Sequence, residues 1–194
     1  LIAKSKRVKK IDKIVDAIFQ IQGGYALVML TQTSLIGVRD PNGIRPLVIG
    51  KLNNSYVLSS ETCALDIIGA KFVREVDNGE IVLIENNILK SIKPFPPKKV
   101  RPCVFEYIYF SRPDSILNGK SAYEHRKNLG KELASENNLK ADIVVPVPDS
   151  GNAAALGFAQ HLGINFELGL TRNHYVGRTF IEPIQKIRSL GVKL

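Results

Sequence analysis

The hydrophobic positions change period along the chain, and the change divides it. Val8, Ile11, Ile14, Val15, Ile18 and Ile21 recur at steps of three and four, which is one face of an amphipathic helix. Lys9, Lys10, Asp12, Lys13 and Asp16 fall on the opposite, solvated face, and Gly23-Gly24 ends the pattern. From Tyr25 the period becomes two. Residues 25–30, 35–38, 47–51 and 56–59 read as short strands, separated by TQTS, RDPNGIRP and NN, all rich in turn formers. Such close spacing predicts an antiparallel meander. Residues 62–69 read as a short helix, and 72–76, 81–85 and 88–92 extend the sheet.

The second half has another rhythm. Residues 94–102 (PFPPKKVRP) are proline-rich and basic and read as a linker or domain boundary. Residues 103–112 form an apolar, aromatic, strand-like run. Residues 121–138 read as a helix with a capping box, Ser121 and Glu124, and an apolar face of Tyr123, Leu129 and Leu133. Residues 142–147 (DIVVPV) read as a buried strand, although Pro146 cannot donate to a ladder. A turn at 148–151 leads into a helix over 152–162, with Ala154, Phe158 and Leu162 on one stripe. A strand-like run at 164–170, a polar loop at 171–183 and a basic helix-like run at 185–190 follow. Strand, helix, strand in this order is a parallel βαβ pattern.

Composition narrows the class. A hydrophobic share of 44% and a charged share of 23% are ordinary for a globular protein. No apolar run approaches the ~20 residues of a membrane span, and no secretory signal is visible. Two cysteines, Cys63 and Cys103, make no disulfide framework, so a reducing, cytoplasmic setting is the expectation. The net charge of +9 is spread, with 14 basic against 9 acidic side chains in residues 1–98 and 13 against 9 in residues 99–194. That suits a small anionic substrate better than nucleic acid, which favours a basic stripe with interleaved aromatics. The chain starts at Leu1 and stops as another element begins, and it reads as an internal piece of a longer protein.

The densest chemistry lies in residues 171–183, TRNHYVGRTFIEP. Arg172 and Arg178 offer forked donors that match phosphate oxygens. Gly177 lets the backbone swing, and Tyr175 and Phe180 exclude water once such a loop shuts. The alternative is an exposed basic loop without a ligand. Upstream, strand, tight turn and helix N-terminus make a common anion site, where Ser150 is placed to cap the helix. Asp149 opposes a bare phosphate there, and a divalent cation between them resolves the repulsion. In the first half, the polar residues to inspect are Arg39, Asp40, Arg45 and Glu61, read as a buried structural ion pair of one arginine with one carboxylate. Cys63 reads as a buried small hydrophobe, His125 as a surface residue, and His161 as a cation favoured at a helix C-terminus.

VPVPDSGNAAALG followed by TRNHYVGRTFIEP resembles the amidophosphoribosyltransferases, and PCVFEYIYFSRPDS and RDPNGIRPLVIG are similar to the same family in the same order. The resemblance runs from about Gly23 onward. RDPNGIRPL is shared with other glutamine amidotransferases of the N-terminal-nucleophile type. The resemblance implies an α+β then α/β chain: over 1–98 the later part of an N-terminal-nucleophile glutaminase sandwich, over 99–194 the first part of a type I phosphoribosyltransferase fold. It implies transfer of glutamine-derived ammonia to 5-phosphoribosyl-1-diphosphate on Mg²⁺, purine nucleotides as feedback inhibitors, and a homo-oligomer without nucleic-acid or membrane partners. Arg172 and Arg178 would contact the diphosphate or nucleotide, Tyr175 and Ile181 would help seal the ammonia channel, and Ser150 would meet the metal–diphosphate site. Some members use a cysteine at the place of Cys103 as one iron–sulfur ligand and others keep it without a cluster, so the [4Fe-4S] cluster stays open and a structural thiol is favoured.

The chain also departs from the family. Lysine is usual at the place of Arg172 and arginine at that of His174. The nucleophilic cysteine and the acidic phosphate-binding loop have no counterpart here, so this piece alone is expected to be inactive. Two other readings stand beside this one: a different type 2 glutamine amidotransferase, and a non-catalytic phosphoribosyltransferase-like regulator that binds nucleotides.

Overall fold

A computed structural model describes residues 1–137, 139–177 and 179–193 of the chain. Two compact units are present, Leu1–Ala122 and Tyr123–Leu194.

In the first unit, helix α1 (Lys10–Ile18) precedes strands β1 (Ala26–Leu30), β2 (Ser34–Arg39), β3 (Val48–Leu52) and β4 (Ser55–Ser59). Helix α2 (Thr62–Ile67) and strands β5 (Lys71–Glu75), β6 (Ile81–Glu85) and β7 (Ile88–Ile92) follow. The strands make two antiparallel sheets rather than one meander, in the orders β1-β2-β6-β7 and β4-β3-β5. Alternation along each strand explains why. Ile36, Val38 and Ile81 pack with Ile14 and Ile18 of α1. Val82, pointing the other way, meets Leu47, Ile49 and Val76. Val48 faces away from that layer and packs with Leu65 of α2. The layers therefore run helix, sheet, sheet, helix. Val8 of the expected helical stripe lies ahead of α1 and is 95% exposed.

Residues 101–116 belong to this unit. The Arg101 N–H donates to the Asn42 carbonyl (2.8 Å) and the Cys103 N–H to the Ile44 carbonyl (3.1 Å). The strand expected over 103–112 is instead helical, with a π-helical turn at Glu106–Phe110. Tertiary contacts override the β propensity of this aromatic run: buried Glu106 pairs with Arg45 at 2.6 Å and accepts the Ser111 hydroxyl at 2.9 Å. These contacts place the packing boundary at 122/123, whereas the composition shift falls at 98/99. Strands β8 (Ile116–Leu117) and β9 (Lys120–Ser121) form a small hairpin. Its turn, Asn118-Gly119, has positive φ at both residues (49° and 79°), the conformation for which Asn-Gly is favoured.

Helix α3 (Ala122–Ser135) opens the second unit, followed by β10 (Ile143–Val144), α4 (Asn152–Leu162), β11 (Asn165–Phe166) and α5 (Gln185–Lys193). β10 and β11 pair in parallel, Ile143 with Asn165 and Val144 with Phe166, as the βαβ reading expects. Both strands are shorter than their apolar runs. β10 ends before Pro146, which is buried outside the ladder, consistent with its missing N–H. The expected apolar face of α3 is also corrected. Tyr123, Leu129 and Leu133 are exposed, while Ala122, Arg126, Gly130 and Ala134 are buried at steps of four. Small residues bring α3 and α4 into backbone contact: a Cβ on Gly130 would lie 1.9 Å from the Ala154 carbonyl oxygen, and one on Gly157 would lie 1.9 Å from that of Lys127. No described helix is long and apolar enough to cross a membrane.

Candidate functional site

The site-bearing part of the second unit is the turn after β10 with the loop after β11. The turn is tight: the Gly151 N–H donates to the Val147 carbonyl (3.0 Å) and the Asn152 N–H to the Asp149 carbonyl (3.2 Å). Gly151 is the N-cap of α4 and no side chain caps the helix, so Ser150 does not play the capping role expected of it. A Cβ at Gly151 would sit 2.6 Å from the Val147 carbonyl oxygen, so the turn requires glycine. Ser150 is exposed. The Asn152 Oδ1 is buried with no hydrogen-bond partner among the described residues.

Arg172 reaches this turn. Its Nη1 donates to Asp149 Oδ2 at 2.8 Å, and both side chains are half exposed. The structure thus joins two motifs that are 23 positions apart in the sequence. Beyond Arg172 the Tyr175 N–H donates to Asn173 Oδ1 (2.9 Å), a local turn that leaves the Tyr175 ring wholly in solvent. Phe180 and Ile181 are exposed, and Thr179–Ile181 forms a 3-10 turn. Its hydroxyl-bearing Thr179 lies where a Cβ on Gly191 of α5 would meet it at 3.1 Å. The Arg188 guanidinium of α5 donates to the Glu182 carbonyl (3.0 Å). The loop is therefore tied at both ends and open in the middle, with Gly177 in free space. Arg178 lies outside the described residues.

The polar residues singled out in the first half are structural, with other partners than expected. Arg39 donates to Glu75 (3.1 Å) and to the Val76 carbonyl (2.7 Å). Arg45 pairs with Glu106. Asp40, fully buried, pairs with no arginine side chain among the described residues. Its carboxylate accepts the backbone N–H groups of Asn42 (3.0 Å), Ile44 (3.1 Å) and Arg45 (3.1 Å), which fixes the DPNGIR turn. Glu61 accepts the Arg112 N–H (2.8 Å) and the Ser115 hydroxyl (2.6 Å). Glu80, also fully buried, takes two bonds from Arg74 (2.8 and 2.7 Å) and one from the Asp77 N–H (2.7 Å). Burial pushes the Glu80 carboxyl up, but these donors outweigh it and hold the carboxyl below its ordinary range.

A cavity of about 420 Å³ in this unit is lined in part by Arg39, Glu75, Lys93, Cys103, Glu106 and Tyr107. Its charges are matched within the protein, Arg39 by Glu75, Lys93 by Asp77 (2.7 Å) and Glu106 by Arg45. A ligand is not needed to neutralise them.

The donor sets test the expected cofactors. No group of three or more metal-ligating side chains exists among the described residues. Asp149 and Ser150 offer one carboxylate and one hydroxyl, both exposed. That fits a magnesium ion that arrives on a diphosphate and keeps most of its waters, not a resident ion held by protein alone. For an iron–sulfur cluster the chain offers Cys103, half-buried, as a thiol. Cys63 is buried and donates to Glu61 (3.6 Å). Burial pushes its thiol up, Glu61 and Asp114 add to this, and the Ser115 hydroxyl opposes it. One available thiol does not make a four-thiolate site, so no step is assigned to a cluster.

No family model matches the chain. Individual proteins do. The amidophosphoribosyltransferase of Rhizobium etli is 55% identical across 100% of this chain, which spans 40% of that protein. The chloroplastic amidophosphoribosyltransferase 1 of Arabidopsis thaliana is 50% identical across 100% of the chain and is spanned to 34%. The solved glutamine phosphoribosylpyrophosphate amidotransferase of Bacillus subtilis, complexed with ADP and GMP, superposes with a TM-score of 0.90 at 46% identity, over 98% of this chain and 42% of that one. The chain thus spans about two fifths or less of the length of these relatives. Within that span the likeness is continuous in sequence and in three dimensions, and the chain matches a portion of these amidophosphoribosyltransferases.

Proposed function

We propose that this chain works as part of an amidophosphoribosyltransferase, which moves ammonia from glutamine onto 5-phosphoribosyl-1-diphosphate. The products are 5-phosphoribosylamine, glutamate and pyrophosphate, and the step is the first of purine synthesis. The observation that carries the reading is the meeting of Asp149 and Arg172 at the end of a parallel βα unit. It sets an exchangeable cationic side chain beside a helix start, where the helix dipole favours an anion such as a diphosphate. In this reading residues 1–98 are the later part of a glutaminase sandwich of the N-terminal-nucleophile type, supported by the helix–sheet–sheet–helix layering. Residues 99–194 begin a type I phosphoribosyltransferase domain.

The roles follow from the chemistry. Arg172 and Arg178 bind the leaving diphosphate. Tyr175 and Ile181, now in solvent, cover the reacting centre when the loop closes and keep ammonia from water. Ser150 meets the magnesium carried by the diphosphate, which stabilises the departing charge. Cys103 serves as a structural thiol, or as one cluster ligand if residues outside this chain supply the others. Purine nucleotides act as feedback ligands, as the ADP and GMP bound to the Bacillus subtilis relative suggest. The protein acts as a cytoplasmic homo-oligomer.

The test is pyrophosphate release from phosphoribosyl diphosphate and Mg²⁺ by the full-length natural protein, with glutamine and then with ammonia. Activity with both is expected, and Arg178→Ala should lower both rates about a hundredfold. A folded protein inactive with either donor would favour the regulator instead.

A further inference from the structure

The cavity in the first unit is lined by charges of both signs in balance, and one of its cations is only partly used. We infer that this cavity is a binding site for a free α-amino acid, whose carboxylate meets Arg39 and whose ammonium meets Glu75 and Asp77. The inference goes beyond the transferase reading and does not depend on it.

Arg39 is the fixed point. Its side chain is 11% exposed. The Nε donates to the Arg45 carbonyl (2.9 Å), and Nη1 donates to Glu75 Oε2 (3.1 Å) and to the Val76 carbonyl (2.7 Å). Its Nη2 has no hydrogen-bond partner among the described residues, although Arg39 lines the cavity. A guanidinium held in this way presents unused donors with little freedom left to lose, which suits a carboxylate. Glu75 and Asp77 both line the cavity, while Val76 between them packs into the core. Asp77 pairs with Lys93 at 2.7 Å, but both side chains are 58% exposed, and such a pair exchanges partners easily. Tyr107 and Asn118 are hydrogen-bonded to each other and add a polar wall. Burial pushes the Tyr107 phenol up, and Glu75 and Glu106 add to this against Arg39, so it stays a neutral hydroxyl.

The charge count selects the ligand. Arg39 is matched by Glu75, Lys93 by Asp77, and the further carboxylate of Glu106 by Arg45. A phosphate or nucleotide would bring negative charge beside three carboxylates, and like charges repel. A metal ion would bring positive charge beside cations that already hold those carboxylates. An amino acid brings one charge of each sign and leaves the balance unchanged. Its primary ammonium also has N–H groups to give to Glu75 and Asp77. The cavity of about 420 Å³ lies toward the small end of ligand pockets, which run from about 300 to 1,000 Å³.

The probes are L-alanine, propionate and ethylammonium, the last two being alanine without its ammonium and without its carboxylate. Each is titrated into the full-length natural protein and followed by saturation-transfer NMR. L-alanine should bind about tenfold more tightly than either fragment. Asp77→Asn, at an exposed position, should weaken L-alanine about tenfold and leave propionate no weaker. Arg39→Lys, which keeps the charge and loses the fork, should weaken both L-alanine and propionate. Propionate binding as tightly as L-alanine would make this a plain carboxylate site and overturn the amino-acid assignment. An L-alanine affinity unchanged in folded Asp77→Asn would place the amino acid elsewhere in the protein and overturn the inference, as would no L-alanine binding to the parent. Each of these outcomes leaves the transferase reading standing.

Discussion

Asp40 in the first unit and Asp149 in the second each open a turn, and the two are satisfied in opposite ways. Asp40 is sealed from solvent and accepts four backbone N–H groups, those of Asn42, Ile44 and Arg45 at 3.0 to 3.1 Å and that of Tyr25 at 3.4 Å. Asp149 is half exposed, and its carboxylate is held by the tip of one long side chain. Backbone amides cannot leave without unfolding the turn, whereas a guanidinium on a flexible stem can. The first arrangement fixes the turn, and the second leaves the charge on a side chain that can exchange partners. Sequence context hides the difference, since both aspartates sit beside proline and have arginines within reach.

The sharpest way to break this comparison is to remove each carboxylate. Asp40→Ala strands four backbone donors and should cost about 3 kcal/mol or more, read as a large drop in the urea midpoint of the chain. A loss below about 1 kcal/mol would show that water replaces the carboxylate and that the turn is not held by it.

Glu80→Gln comes next. It removes a buried charge from Arg74, but Arg74 can regain water because its side chain is about a third exposed, so about 2 kcal/mol is expected. The native carboxyl lies below its unfolded value. Its contribution is therefore complete above about pH 4.5 and is lost as pH falls through the native value. The gap between parent and Glu80→Gln should stay constant from pH 6 to 8 in urea titrations and narrow as pH falls below about 4.5.

Smallest of the three is Asp149→Asn, expected to change stability by under about 1 kcal/mol. A loss as large as that of Asp40→Ala would move Asp149 into the structural class and remove the contrast.

The legible parts of the sequence were those where burial has one period. β6 and β7 coincide with the runs at 81–85 and 88–92, because alternate residues face different layers. The split into two sheets was not legible, since pairing of β2 with β6 depends on chain return over forty-odd positions rather than on local pattern. Residues 103–112 misled because aromatic and β-branched side chains favour strands until an Arg45–Glu106 contact selects a helical turn. The Asn118-Gly119 hairpin was missed although its dipeptide is a strong turn signal. In the candidate site, both halves of the Asp149–Arg172 contact stand out in the sequence, but their pairing spans 23 positions and depends on the chain's return after β11, which no local pattern shows.

The crossing of α3 and α4 has a consequence for how this chain can vary. Gly130 and Gly157 each face the other helix's main chain, with no room for a methyl group. Every other amino acid adds at least that carbon, so no replacement at one position is relieved by a change at the other; both main chains would have to move apart first. Drift can rewrite the exposed Tyr123, Leu129 and Leu133 one residue at a time. At the two glycines it has no single-step route, and the helix that begins after the 148–151 turn keeps its place while the loop around it is free to diversify.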